Sequence, residues 1–178
     1  MSTDPPARRS EVPDSVEALN AATRAYNDAV MAFGNEPDHR ELMRQRLRAF
    51  SSVPLMLMAS RPYRHALGFF PELVLNLCQG RAASIELARN IIRTLPKSEV
   101  ESRVVTDLES LVEGMSADEV AQLSDLLIEL GLSAAVDRVR SYAADQSEEE
   151  MHQLAEDMEG VERSWRWRLS RTERIERR

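Results

Sequence analysis

The chain has 178 residues, 43% hydrophobic and 30% charged, enough to bury a core and ordinary for a globular protein. Its formal charge of −7 gives no bulk attraction to nucleic acid or to an anionic membrane, so any such contact must be local. Glycine is scarce, aromatics make up 5%, and Ala, Leu, Glu, Arg and Met dominate, which predicts an all-α fold and argues against a sheet.

Residues 1–13 are polar, carry three prolines and have no apolar period, which predicts a disordered tail and no signal peptide. A first helix is expected from about Ser15 to Phe33. Asp14 and Glu17 form its opening box, and Gly34 ends it as a left-handed residue. Val16, Leu19, Thr23, Tyr26, Val30 and Phe33 step by three and four, so they share one face.

A second helix is expected from Asp38, with Glu41 completing its box and Leu42, Met43, Leu47 and Phe50 forming its apolar stripe. Pro54 is expected to break or kink it. Arg40, Arg44 and Arg48 make a basic stripe that can take an anion, though such a stripe more often pairs with acidic neighbours on a solvated face. Residues 53–58 (VPLMLM) are apolar all round, which predicts the deepest part of the core. Pro71 suits a first helical position, and the helix it opens should stop at Gly80. Cys78, the single cysteine, lies in an apolar run and reads as a buried, inert thiol with no disulfide partner. Another helix should cover about Ala82 to Leu95, ended by Pro96.

Ser98–Glu101, Ser116–Glu119 and Ser147–Glu150 all have capping-box spacing, and Ser133 can cap one more helix. They predict helices over 99–113, 117–130, 134–145 and from 148 onward. The intervening sequences do not match one another. The expectation is therefore an irregular bundle of about seven or eight short helices with a longer C-terminal helix, not a solenoid.

That last helix carries two signals. Met151, Leu154, Met158, Val161 and Trp165 form an a/d seam over two heptads. It reads as an interaction seam for self-association, while ordinary core packing explains it more cheaply. From residue 163 on, seven arginines face two glutamates. Arg163, Arg166, Trp167, Arg168, Arg171 and Arg174 are candidates for binding an anion, since Trp stacks on bases while Arg reaches phosphates. Bases at a helix C-terminus also simply complement its dipole. Lys97 is the only lysine among the basic residues, an arginine bias that fits a GC-rich, bacterial-like coding sequence.

Catalytic and metal motifs are absent: there is no phosphate-binding glycine loop, no cysteine pair and no Gly-x-Ser-x-Gly elbow. Glu149-x-x-His152 has di-metal spacing, but its one counterpart, Glu36–His39, is interrupted by Pro37. Residues 126–139 suggest a helix-turn-helix, yet Asp137 falls where an apolar residue is required.

The sequence is thus read as a disordered tail (1–13), a helical domain (14–162) and a basic Arg/Trp-bearing end (163–178). The expected function is a cytoplasmic, non-enzymatic, self-associating scaffold or assembly protein acting through protein–protein contacts. No cofactor, metal or membrane span is expected. The alternatives are a nucleic-acid-binding protein using the C-terminal segment, and a small-molecule sensor with a pocket around Met43, Met56, Met58, Phe69 and Phe70.

Overall fold

The computed structural model describes residues 13–60 and 65–160, and among these every regular element is helical. The chain divides between Leu42 and Met43 into two compact units.

The first unit is built on α1 (Pro13–Gly34), a 22-residue helix that starts slightly earlier than its sequence signals predict. Gly34 does not take the expected left-handed conformation. The chain turns instead through Asn35, whose N–H donates to the Met31 and Ala32 carbonyls, each at 3.2 Å. Phe33 meets His39 edge-on, with ring centroids 6.4 Å apart. The Asp38 carbonyl accepts the Leu42 N–H at 3.0 Å and so opens α2 (His39–Arg48).

The second unit begins within α2, where Met43 and Leu47 are buried. The break after α2 comes earlier than Pro54 and has a different cause. Phe50 takes a left-handed φ of 54°, its N–H donating to the Leu47 carbonyl and that of Ser51 to Arg46. This is a Schellman ending with phenylalanine where glycine is usual. Pro54 lies in the first turn of α3 (Ser52–Ser60), where a missing N–H leaves no helical bond unmade. Only part of α3 is core. Pro54, Leu55 and Met58 are buried, while Val53 and Met56 are exposed, so the expectation that residues 53–58 lie deepest is corrected.

A single 3-10 turn (Ala66–Phe69) leads into α4 (Phe70–Gln79), with Pro71 in its first turn as expected. Then follow α5 (Ala82–Thr94), α6 (Lys97–Leu111), α7 (Ala117–Leu130), α8 (Ser133–Ala144) and α9, described over 149–160. Helix α4 is the hub. It packs on α5, α6 and α7, and its Leu73, Val74 and Leu77 are fully buried. Helix α5 also packs on α3, while α8 packs on α6 and α7.

The expected cap at Ser116 forms as read. The Ser116 hydroxyl accepts the Glu119 N–H at 3.4 Å, and the Glu119 carboxylate accepts the Ser116 N–H at 2.7 Å. Gly131 ends α7 with a φ of 73° and a Schellman pair of bonds. Ser98 caps nothing, because α6 already starts at Lys97 behind Pro96. Its supposed partner, Glu101, accepts the Ala134 N–H at 3.0 Å and so caps α8 from a neighbouring helix. Ser133 is then the first residue of α8, not its cap. Two ion pairs also join helices. Arg93 grips Glu129 with two bonds of 2.7 and 2.8 Å, and Arg138 pairs with Glu109.

Candidate interaction surface

The described part of the predicted α9 seam lies inside the fold. Met151 and Met158 are buried and Leu154 is half-buried. Those side chains already pack against their own chain, which is how an amphipathic helix covers a core. Val161 and Trp165 lie outside the described residues, as do Arg163, Arg166, Trp167, Arg168, Arg171 and Arg174. Across α9 and α8 runs a groove of about 490 Å³ lined by Arg140, Ser141, His152, Ala155, Glu156 and Glu159. Among the described residues no three His, Cys, Asp or Glu side chains converge as a metal site.

The residues of the candidate small-molecule pocket differ in exposure. Met43, Met58, Phe69 and Phe70 are buried core residues, and Met56 faces outward. Among the described residues no helix is long and apolar enough to cross a membrane.

The arginine stripe of α2 resolves into an ion-pair cluster. Glu72 on α4 is only 4% exposed, and its Oε1 accepts from Arg48 at 2.9 Å with Arg44 Nε at 4.0 Å. Arg44 also donates to the Gly68 carbonyl at 3.3 Å and lies over the Phe69 ring at 5.6 Å. One turn on, buried Asn76 donates to the Leu47 carbonyl at 2.9 Å and to the Glu72 carbonyl at 2.8 Å. Both partners are acceptors, which fixes which way the amide points. These groups bind α2 to α4, and the cluster is structural in form. Sequence reasoning missed Glu72 and Asn76. The available signal was two polar residues four apart inside an otherwise apolar helix, since such residues share a face and need partners.

Cys78 is buried, and burial with the nearby Glu119 charge pushes its thiol up to about 12. A thiol so protonated is a poor nucleophile, as the sequence suggested.

The surface that stands out is on α1. Its stripe turns three large side chains to solvent: Val16 is 47% exposed, Leu19 66% and Tyr26 43%. Thr23 between them is exposed and donates to the Leu19 carbonyl at 2.8 Å. Val30 and Phe33 are half-buried. From Ser15 to Gly34 no residue of α1 is buried. Helices gain most of their stability by packing an amphipathic face, and the first part of this face, at Val16 and Leu19, is exposed. A row of large apolar groups at regular spacing differs from the scattered exposed leucine of any surface.

No family model matches this chain, and neither a curated protein nor a solved structure matches it.

Proposed function

We propose that this chain is a non-enzymatic interaction protein whose docking element is α1. The observation that carries the reading is the exposed stripe of Val16, Leu19 and Tyr26 on a helix with no buried residue from Ser15 to Gly34. An amphipathic helix laid into a partner by i, i+3, i+4 and i+7 anchors is a common mode of recognition. The second unit supports this by holding a separate core. Ion pairs between its own helices include Arg48–Glu72, Arg93–Glu129 and Arg138–Glu109.

Native mass spectrometry of the protein purified from its own cells tests the reading. Wild type is expected to carry mass beyond one chain, and Leu19→Asp to lose it at an unchanged melting temperature. A charge at a desolvated anchor of this kind lowers affinity at least tenfold, equivalent to about 1.4 kcal/mol or more. Retention of the same complex by Leu19→Asp sinks the proposal.

A further inference from the structure

We propose that the second unit binds a small primary ammonium ion, in the cavity where α4 meets the C-terminal end of α6.

The cavity holds about 200 Å³ and is bordered by Glu72 and Leu75 of α4, by Ser110 and Leu111 of α6, and by Glu113 and Met115 just beyond α6. Glu72 is its buried charge, at 4% exposure. Arg48 and Arg44 both approach the same oxygen of that carboxylate, Oε1, at 2.9 and 4.0 Å. Among the described residues Oε2 accepts no hydrogen bond. A carboxylate has lone pairs on both oxygens, so Glu72 keeps capacity for a further donor while its pair with Arg48 stands.

The end of α6 adds to the negative side. The last carbonyls of a helix lack N–H partners and carry its negative pole. Ser110 and Leu111 bring that pole to the cavity, and α6 has no basic residue in its last turn to complement it. The charged side chains bordering the cavity are Glu72 and Glu113 against Arg48 alone. Together with the helix end, this balance attracts a cation and repels an anion.

The chemistry of the walls narrows the cation. Leu75, Leu111 and Met115 offer an apolar lining that gives nothing to a bare metal ion and covers an alkyl stem. A primary ammonium has three N–H donors, and Glu72, Glu113 and the Ser110 hydroxyl offer three acceptors. A quaternary ammonium brings no donor, and the residues bordering this cavity include no aromatic ring to receive it. Size sets the length. At ~30 Å³ per water the cavity takes about six water-sized groups, which matches an amine of four or five carbons.

The full chain, labelled at its methionine methyl groups, is titrated with butylammonium chloride at constant ionic strength and followed by NMR. The Met115 methyl should shift along a saturating curve with its half-point in the millimolar range, while that of Met56, exposed on α3, should stay in place. Butan-1-ol, of the same length but without charge, should give no saturation over the same range. Glu113 is exposed and takes no part in the Arg48–Glu72 pair, so Glu113→Gln should keep the melting temperature. It should weaken butylammonium binding roughly tenfold. Glu109 pairs with Arg138 and does not border the cavity, so Glu109→Gln should leave binding unchanged. A Met115 curve that never saturates, or one that butan-1-ol reproduces, overturns the ammonium site. Equal weakening by the two glutamine variants would reduce the effect to net charge and overturn it as well.

Discussion

At the scale of single residues, the most demanding group is the Glu72 carboxylate. A buried anion costs several kcal/mol unless it is paired, and here Arg48 reaches it at 2.9 Å from an exposed position. Arg48→Ala leaves Arg44 as the nearest cation, at 4.0 Å. The expected loss is about 1–3 kcal/mol, read from a urea midpoint. Adding Glu72→Leu should recover most of it, because two apolar groups replace a broken pair. A double variant as unstable as Arg48→Ala would show that the arginine's stem, and not its charge, matters. Asn76 belongs to the same argument, since its two donors hold carbonyls on both α2 and α4.

At the scale of elements, helix ends are fastened by their neighbours as much as by their own sequence. The Glu101 side chain of α6 accepts the Ala134 N–H at the start of α8. Glu101→Ala should cost about 0.5–2 kcal/mol, the usual loss for an N-terminal acceptor, while Ser98→Ala should leave the thermal midpoint nearly unchanged. The reverse order of effects would mean that Ser98 caps α6 after all. Here lies the limit of what the sequence allows. Periodicity and glycine or proline punctuation locate α4, α5, α6, α7 and α8 within a few residues, because those signals are local. Ser98–Glu101 and Ser116–Glu119 have identical spacing, yet only the second is a box, since Pro96 has already opened α6 upstream. Phe50 carries no local sign of its left-handed turn. The apolar stripe of α1 is legible as a stripe, but whether a stripe faces a core is a property of tertiary structure. The same pattern in α9 is buried at Met151 and Met158.

At the scale of the whole molecule, Cys78 ties a single proton to the integrity of the second unit. Its thiol sits at about 12 when folded against an ordinary 9.0, so the unfolded chain releases the proton first. Stability from this group is complete below about pH 9 and declines as pH rises toward 12, by up to a tenfold change in folding equilibrium per pH unit. Cys78→Ser should flatten that alkaline limb in thermal melts taken between pH 8 and 11. A limb of the same steepness in Cys78→Ser would place the effect on other groups.

The lone lysine gives the molecule an unusual chemistry toward amine reagents. Lys97 Nζ donates to the Leu130 carbonyl at 2.7 Å, fastening the first turn of α6 to the last turn of α7. Lys97 is the one lysine amine that can attack an acyl donor or an aldehyde, and it is already engaged in holding two helices together. Acylation of Lys97 therefore removes its charge and replaces a charge-assisted bond at the end of α7 with, at most, a neutral one.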